Sequence, residues 1–341
     1  MDKNFIVIPP FYSGTSFEEI YNALRVAVSK TNLPIEFIGY TKPIKNNFVP
    51  KGFLDDDSYV YGQVEILRKL TKQPNISKLL FLDFFNPGLD LIRYLFELRK
   101  VTPKLGSLLY GGTFLSDDLY SWPWLKNYET AWFETYDVVY VSSKFLYQSS
   151  PVIYQKKLKV FPLGMDAFNP TKSSHKIKKY DVVFPHRLDD DKGISDFIHI
   201  ASNMPNTAFV VTSPKRKQML EQNKYYKQIE KISNITVKFE QDSSEYKKIL
   251  SEAKIILSCA KQENFGYSVM KAVISGCIPV LPNKLCYPEF FNDEFLYSDL
   301  DQAIKLINKY LEQDSDSKLK NVVDNIKEFS FIPLLKDFFT T

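Results

Sequence analysis

Short runs of β-forming residues alternate with helical patterns along the whole chain, and this alternation limits the fold more than any other feature. In the first half, strands are predicted near residues 4–8, 35–40, 79–83, 105–110, 137–141 and 158–162. The second half repeats the pattern near residues 180–184, 208–212, 235–239, 254–257 and 278–281. Parallel strands that alternate with helices form sheets covered on both faces. The sequence therefore predicts an α/β protein with doubly wound sheets.

The length of 341 residues is too great for one ordinary α/β domain, so two domains are expected. We place an N-terminal Rossmann-like domain at 1–165, a polar linker at 166–179 and a second Rossmann-like domain at 180–325. Residues 326–341 are predicted to form a C-terminal helix that packs back toward the first domain. Because ligands of such sheets bind at the carboxyl ends of the strands, we expect the two domains to face each other across a cleft.

Composition excludes several classes of protein. Lysine and arginine number 44 against 40 acidic residues, so bulk charge does not predict nucleic-acid binding. The N-terminus has no pattern of a signal peptide, and no apolar run approaches the roughly 20 residues that span a bilayer. Three cysteines without metal-site spacing indicate buried thiols in a reducing compartment. We expect a soluble protein of the cytoplasm, or of the host cytoplasm if a phage encodes it.

The most informative segment is residues 261–280, which follows a predicted buried strand. A helix is predicted to begin near Gly266, where the free N–H groups of Gly266, Tyr267 and Ser268 would favour an anionic phosphate. Glu263, just ahead, is placed to accept hydrogen bonds from sugar hydroxyls. The alternative is an ordinary strand, turn and helix in which Glu263 is a solvated charge.

The second segment, residues 184–193, follows the first strand of the second domain. Arg187 and Lys192 lie in a loop that leads into a helix, and two such cations would neutralise a diphosphate. A solvated charged turn is the alternative for this pair alone. Both segments fall at carboxyl ends of strands in one domain, so together they favour a shared phosphate site.

These two segments resemble the donor-site motifs of the retaining GT-B glycosyltransferases. The resemblance lies in Arg187…Lys192-Gly193 and in Glu263-Asn-Phe-Gly266. The chain is also similar to tRNA-queuosine mannosyltransferase-like proteins. It shares with them His186-Arg187…Asp191-Lys192 and Gly276-Cys-Ile-Pro279 with Leu285-Cys-Tyr-Pro-Glu289.

The resemblance implies a retaining transfer of a sugar from a nucleotide-sugar donor such as a UDP- or GDP-sugar. It implies catalytic roles for Glu263, Arg187 and Lys192. The donor would also contact His186, Asn264, Phe265, Gly266, Tyr267, Ser268, Lys271 and Glu289. GT-B enzymes of this type require no metal and no other cofactor, so we interpret Asp55–Asp57 and Asp189–Asp191 as solvated acidic turns.

Two departures from the family pattern bear on the donor and the acceptor. The family has a second Glu that binds the ribose where this chain has Lys271, so another carboxylate such as Glu289 is a candidate for that contact. The family also often carries a His where this chain has Gly112. Either that role is vacant or the glycine leaves room for a bulky acceptor.

The predicted acceptor-side residues are Gly14, Gly112, Asp117 and Trp122. The resemblance favours a nucleic-acid acceptor, either a tRNA nucleoside or a hydroxymethylated base as in phage-type DNA glucosylation. Aromatic residues at 120–124 are candidates for stacking on a base or a sugar. The basic stretches near residues 42–51, 156–159 and 215–217 are candidates for phosphate contacts, although solubility is the preferred explanation for each of them alone.

The sequence bears on three other functions. The same transferase is compatible with a glycan, lipid or protein acceptor. Lys271 and Gly112 also allow a catalytically silent protein that binds a nucleotide sugar. A dehydrogenase is disfavoured because residues 5–14, after the first strand, lack the GxGxxG pattern.

Overall fold

The first sheet has six parallel strands in the order β2-β1-β3-β4-β5-β6. The computed structural model describes residues 3–44, 57–115, 123–170, 178–213, 217–239, 242–313 and 316–341. The strands of this sheet are β1 (Lys3–Ile8), β2 (Ile35–Gly39), β3 (Ile76–Phe81), β4 (Lys104–Leu109), β5 (Val138–Val141) and β6 (Leu158–Val160). The sheet extends outward on both sides of β1 and β3, which is the doubly wound arrangement.

The second sheet also has six parallel strands, in the order β12-β11-β10-β7-β8-β9. These strands are β7 (Tyr180–Phe184), β8 (Phe209–Ser213), β9 (Ile235–Phe239), β10 (Ala253–Leu257), β11 (Ile278–Pro282) and β12 (Leu296–Tyr297). Strands β7 and β10 are neighbours at the centre of the sheet, with Val182 opposite Ile255. The loops that follow these two strands therefore leave the sheet side by side.

Helices connect most of the strands. Those of the first half are α1 (Ser16–Ser29), α2 (Asp57–Leu70), α3 (Leu89–Leu98), α4 (Leu125–Thr135), α5 (Lys144–Ser149) and α6 (Val152–Gln155). The second half contains α7 (Ile194–Ser202), α8 (Lys217–Leu220), α9 (Lys224–Ile229), α10 (Ser243–Ser251), α11 (Tyr267–Ile274), α12 (Tyr287–Phe290), α13 (Leu300–Glu312), α14 (Asp316–Lys327) and α15 (Ile332–Thr340).

The prediction of two Rossmann-like sheets is confirmed. All eleven predicted strands are present, and the central ones are apolar runs buried on both faces, as in Phe5–Ile8 and Ile255–Leu257. The sequence analysis missed β12, which has only two residues and too short a run to show a period. The three cysteines are free and buried, as expected.

The chain divides into two compact units. The first contains residues 1–167 and 329–341, and the second contains residues 168–328. The predicted boundary between residues 325 and 326 falls inside α14, which belongs to the second unit. Of the predicted linker at 166–179, residues 171–177 lie outside the described part of the chain.

Helix α15 completes the first unit. The Phe338 ring fills the space beside Gly106 of β4, where a Cβ atom would lie 2.4 Å from the ring. Asp337 accepts hydrogen bonds from the Tyr140 hydroxyl at 2.6 Å and from Lys159 at 2.8 Å. The chain therefore returns at its end to cover the sheet formed by its first half. Within the described ranges, no helix is both long and apolar enough to cross a bilayer.

Candidate functional site

Two loops meet at the carboxyl edge of the second sheet. Residues 185–193 follow β7, and residues 258–266 follow its neighbour β10. The backbone carbonyl of Asp191 accepts hydrogen bonds from the N–H groups of Lys261 at 2.9 Å and of Gln262 at 3.1 Å. Neighbouring parallel strands bring their following loops to the same edge, and these bonds then lock the two loops together. The structure thus brings together the two segments that the sequence analysis paired.

Gly193 allows this close approach. Its φ angle is +66°, in the left-handed region, and an added Cβ atom would lie 1.9 Å from the carbonyl oxygen of Cys259. Any side chain at this position would both strain the backbone and push the second loop away. Gly193 also precedes α7, so the same residue ends the Arg187–Lys192 loop and begins the helix.

Lys192 lies between the two loops. Its ammonium group donates to the carbonyl oxygen of Gln262 at 2.8 Å and to Oε2 of Glu263 at 3.4 Å. The same nitrogen lies 3.4 Å from Oδ2 of Asp191. The lysine side chain is only 16% exposed, and that of Glu263 only 17%. Lys192 and Glu263 therefore form a largely buried ion pair at the centre of the site.

Arg187 lies at the outer side of the same loop. Its Nη2 atom is 3.0 Å from Oδ2 of Asp191, and its Nε atom is 3.5 Å from Oδ2 of Asp189. The Arg187 side chain is 38% exposed, so its guanidinium group reaches solvent while two carboxylates fix its direction. A guanidinium held in this way presents a planar edge suited to a phosphate.

Glu263 is ionised and shapes its own loop. Burial alone would raise its pKa, but the charge of Lys192 and hydrogen bonds to the carboxylate outweigh burial and lower the pKa. Its Oε1 atom accepts from the N–H of Gly266 at 3.1 Å and from that of Asn264 at 3.3 Å. A carboxylate that accepts several donors is held in one orientation.

Helix α11 begins directly after this turn. Gly266 is its N-cap with φ of +79°, and the Tyr287 ring packs 3.2 Å from where a Cβ atom would lie. The prediction of a helix start here is confirmed, but the prediction that the Gly266 N–H is free was wrong, because Glu263 accepts it. Asn264, Phe265, Tyr267 and Ser268 occupy the turn and the first residues of the helix. The positive end of the helix dipole lies beside Glu263 and Lys192.

His186 is buried at the base of the site. Its ring packs edge-on against Phe184 at 5.0 Å between centroids, and its Nε2 atom is buried without a hydrogen-bond partner. Burial, aided by the charge of Lys192, lowers the pKa of His186 to about 4, so the imidazole is neutral at pH 7. A buried nitrogen without a partner is costly in a folded protein unless a ligand or water completes it.

Lys271, which stands where the family has its second Glu, and Glu289, the candidate to replace that Glu, lie farther along the chain. Lys271 is buried on α11, with its ammonium 4.7 Å from the centroid of the Tyr246 ring and 5.7 Å from that of Tyr267. Two aromatic faces thus support a buried cation there. Glu289 is half-buried on the short helix α12, where the Phe290 ring packs 5.4 Å from that of Phe265.

The acceptor-side candidates give a mixed result. Gly14 has φ of +77° in the turn before α1 and donates its N–H to Glu18. Gly112 does not leave open room, because an added Cβ atom would meet the Phe114 ring and lie 2.9 Å from Oε2 of Glu129. The interpretation of an open space on the Cβ side of this glycine was therefore wrong. Asp117 and Trp122 lie outside the described residues.

The lysines of the basic stretches that the structure describes are partly engaged within the protein. Lys157 donates to the carbonyl of Phe133 at 2.8 Å, and Lys159 pairs with Asp337. Lys217 lies 3.7 Å from Glu230, whereas Lys42 is exposed. Trp124 is 53% exposed and packs edge-on against Tyr128, so its ring remains accessible on one side.

The interpretation of Asp189–Asp191 as a solvated acidic turn was wrong for Asp191. Its side chain is only 14% exposed and contacts both cations of the site. The sequence did carry a signal for it, since Asp191 belongs to the run that resembles the mannosyltransferase-like proteins. The sequence does not indicate the role of Gln262, because its backbone carbonyl accepts the hydrogen bond from Lys192 and every residue type has such a carbonyl. Among the described residues, no group of His, Cys, Asp and Glu side chains is arranged to hold a metal.

Comparison with known proteins identifies the C-terminal half. Residues 166–329 match the family model described as "Glycosyl transferases group 1". This range contains both loops of the site and the helix that follows them. Over these residues the chain is similar to the group 1 glycosyl transferases.

Solved structures extend the likeness to the whole fold. A glycosyltransferase from Rickettsia africae is similar at a TM-score of 0.67 and 14% identity, covering 98% of this chain and 96% of that one. A sucrose-phosphate synthase from Thermosynechococcus elongatus gives a TM-score of 0.68 and 12% identity, covering 99% and 97%. The catalytic domain of starch synthase IV from Arabidopsis thaliana, bound to ADP and acarbose, gives 0.68 and 12%, covering 100% and 99%.

A curated relative is the tRNA-queuosine alpha-mannosyltransferase of Drosophila melanogaster. It is 26% identical over 134 residues, which are 38% of this chain. The match spans 35% of that relative's length.

Proposed function

We propose that this protein is a retaining glycosyltransferase that moves a sugar from a nucleotide-sugar donor to a hydroxyl group on a modified nucleoside or base of nucleic acid. The observation that carries the proposal is the convergence of Arg187, Lys192 and Glu263 beside the start of α11. Lys192 and Glu263 are 3.4 Å apart although they lie 71 residues apart in sequence. The packing of a parallel sheet does not require charged side chains to converge in this way, and such a convergence is typical of a ligand site.

The cations and the helix start suit the diphosphate of the donor. Negative charge grows on the diphosphate as the bond to the sugar breaks, and Arg187, Lys192 and the helix dipole would stabilise that charge. Charge neutralisation by side chains and backbone amides makes a metal ion unnecessary in this scheme. The donor is a UDP-, GDP- or ADP-type sugar, since all share the diphosphate.

Glu263 suits the sugar itself. Its carboxylate is ionised and held in place by the N–H groups of Asn264 and Gly266. A fixed carboxylate accepts hydrogen bonds from sugar hydroxyls and orients the anomeric carbon toward the acceptor. The buried Nε2 atom of His186 lies in the same loop as Arg187 and is available to a donor oxygen.

Neither His186 nor Glu263 is suited to act as a general base, and this favours a reaction that retains the configuration of the sugar. His186 has its pKa lowered to about 4, and Glu263 is paired with Lys192, so neither is suited to accept a proton at pH 7. In a retaining reaction the leaving diphosphate oxygen takes the proton of the incoming hydroxyl on the same face of the sugar. The glycosidic bond to the phosphate breaks, and the bond to the acceptor oxygen forms.

The choice of a nucleic-acid acceptor depends on the relative of known function. A tRNA-queuosine alpha-mannosyltransferase is 26% identical to this chain over 134 residues, and runs in both candidate loops resemble proteins of that kind. A hydroxyl on a modified base of tRNA is therefore the first acceptor to test, and a hydroxymethylated base of DNA the second. A base in a duplex would have to be extruded to reach such a site.

A transfer assay with mass detection tests this function. The purified chain is incubated with UDP-glucose, UDP-N-acetylglucosamine, ADP-glucose or GDP-mannose and with queuosine-containing tRNA or hydroxymethylated DNA. The nucleosides are then analysed by mass spectrometry for the addition of one sugar residue. Unmodified tRNA and unmodified DNA, which lack the acceptor hydroxyl, are the matched controls. Sugar release without an adduct on any nucleic acid would contradict the acceptor, and no consumption of any donor would contradict the transferase itself.

Two variants test whether turnover depends on the Glu263 carboxylate or on any charge in the same loop. Glu263→Gln removes the carboxylate, and we expect turnover to fall by about 10²-fold or more, as when a preorganised charged contact is lost. Lys261→Gln is the matched control, because Lys261 is an exposed lysine two residues away in the same loop. The control is expected to keep turnover within about threefold, as for an ordinary surface substitution.

A silent sugar-nucleotide-binding protein is the second candidate, favoured by the buried Lys271 at the family's acidic position. An ammonium has donors only and cannot accept the hydrogens of a ribose diol. In that case the chain would bind nucleoside diphosphates but consume no donor, and Glu263→Gln would change binding without any effect on turnover.

A further inference from the structure

The ammonium group of Lys192 is already surrounded by acceptors in the free protein. The Gln262 carbonyl lies at 2.8 Å, Glu263 Oε2 at 3.4 Å and Asp191 Oδ2 at 3.4 Å. An ammonium has three N–H donors, so one acceptor is present for each of them. A phosphate oxygen can bind Lys192 only by taking the place of one of these three.

The Asp191 contact is the one that a phosphate would replace. The Gln262 carbonyl belongs to the backbone of a locked loop, and the Glu263 contact has hydrogen-bond geometry. The contact with Asp191, in contrast, is an ion pair between sequence neighbours. Asp191 also keeps a partner if Lys192 leaves, because its Oδ2 atom accepts from Arg187 at 3.0 Å.

The carboxylate of Asp191 lies where two cations converge. The same oxygen contacts Arg187 Nη2 and Lys192 Nζ, the two groups assigned to the diphosphate. Arg187 and Lys192 together contact three carboxylates, those of Asp189, Asp191 and Glu263. These contacts therefore give a site that is net negative, although the ligand it is assigned is an anion.

We propose that the Asp191 carboxylate is a built-in competitor of the donor diphosphate. In the free protein it bridges Arg187 and Lys192, and it gives up Lys192 when a diphosphate binds. Asp191 thereby lowers the affinity for the nucleoside-diphosphate product, which favours its release after transfer. This inference rests on the proposed function, since it assumes that a diphosphate binds these cations.

The size of the effect follows from charge and distance. A phosphate that replaces Asp191 on Lys192 would lie about 5–6 Å from the Asp191 carboxylate, and a partly buried pair at this distance repels by an amount equivalent to about tenfold in affinity. Asp191→Asn removes the charge, keeps the shape and leaves the backbone carbonyl that locks the two loops. We expect this variant to bind nucleoside diphosphates about tenfold more tightly.

Titration calorimetry with UDP, GDP and ADP tests the proposal on the full chain. The matched control is Asp190→Asn, which removes an equal charge from the same turn at a carboxylate that pairs with Lys224 and is 67% exposed, against 14% for Asp191. Exposed charges are screened, so the control is expected to change affinity by at most about twofold. Asp191→Glu keeps the charge and is expected to remain near wild type. A thermal unfolding scan confirms that each variant is folded.

The outcomes separate the two proposals. If Asp191→Asn binds more weakly than wild type or equally well, Asp191 is not a competitor and this inference is wrong, while the donor site stands. If the wild-type chain binds none of the three diphosphates, the proposed function fails and this inference fails with it. The inhibition constant of the product in the transfer assay provides the second readout, and we expect it to fall by the same factor in Asp191→Asn.

Discussion

Replacement of Lys192 by methionine probes the ion pair at the centre of the site. Methionine keeps most of the side-chain volume but removes the ammonium that contacts Gln262, Glu263 and Asp191. Glu263 then remains as a carboxylate with only 17% of its side chain exposed and without its counter-ion. The variant therefore tests folding stability and catalysis through one group.

The magnitude follows from burial and distance. At 3.4 Å and an effective dielectric of about 20–40, the Coulomb attraction of the pair is about 2–5 kcal/mol before desolvation is counted. Removal of one partner from a buried pair costs about 3–5 kcal/mol, and the remaining exposure here reduces that to about 2 kcal/mol. For catalysis, the loss of one preorganised cation on the leaving group corresponds to about 10²–10³-fold in kcat.

A double-mutant cycle with Glu263→Gln measures the coupling. Urea unfolding of the four proteins is expected to give a coupling of about 1–2 kcal/mol, since the two residues are in contact. Lys261→Met is the control for loss of a lysine in the same loop without a buried partner, and it is expected to change stability by less than about 0.5 kcal/mol. A coupling near zero, or normal turnover in Lys192→Met, would refute the reasoning.

Three further predictions follow from the same loops. Gly193→Ala is expected to destabilise the second unit by about 3 kcal/mol or more and to abolish donor turnover, because the added Cβ would lie 1.9 Å from the Cys259 carbonyl oxygen; urea unfolding measures the loss. Because the pKa of His186 is lowered to about 4 in the folded chain, the unfolded chain binds a proton between pH 6.5 and about 4 that the folded chain does not bind. The free energy of unfolding therefore decreases as the pH falls through this range, and the full contribution of neutral His186 is present above it. His186→Gln is expected to flatten this fall by up to about 3 kcal/mol in urea unfolding across that pH range, and an unchanged slope would contradict the assignment. EDTA is expected to leave turnover unchanged, and a loss that Mg²⁺ or Mn²⁺ restores would show that a metal takes part.

The fold was predictable because its strands carry a signal that does not depend on tertiary structure. Runs such as residues 180–184 and 254–257 are short, apolar and separated by helical patterns, so their order along the chain already implied parallel sheets. The two-residue β12 has no such pattern, and its pairing with β11 depends on what lies beside it. The predicted boundary between residues 325 and 326 lies within helix α14, where the sequence has no break that would mark the end of a unit.

The residues of the site were predictable from the sequence, but the way their charges pair with one another was not. Arg187, Lys192 and Glu263 were expected to meet because strands β7 and β10 end at the same edge, and the structure places Lys192 and Glu263 in contact. Their mutual neutralisation was not predictable, since sequence spacing does not show that Asp191 turns inward while Asp189 remains exposed. The packing around Gly112 was hidden for the same reason. Phe114 and Glu129 fill that space, and no local pattern places Glu129 beside Gly112.

The most direct test of the account compares a nucleoside diphosphate with its parent nucleoside. The affinities of wild type and of the Arg187→Gln, Lys192→Met double variant are measured by calorimetry for the pair that wild type binds best among UDP, GDP and ADP. We expect wild type to prefer the diphosphate by about 10²-fold or more, in line with two charge-assisted contacts, and the double variant to lose that preference. A double variant that binds the diphosphate as tightly as wild type would contradict the assignment of these two cations to the donor.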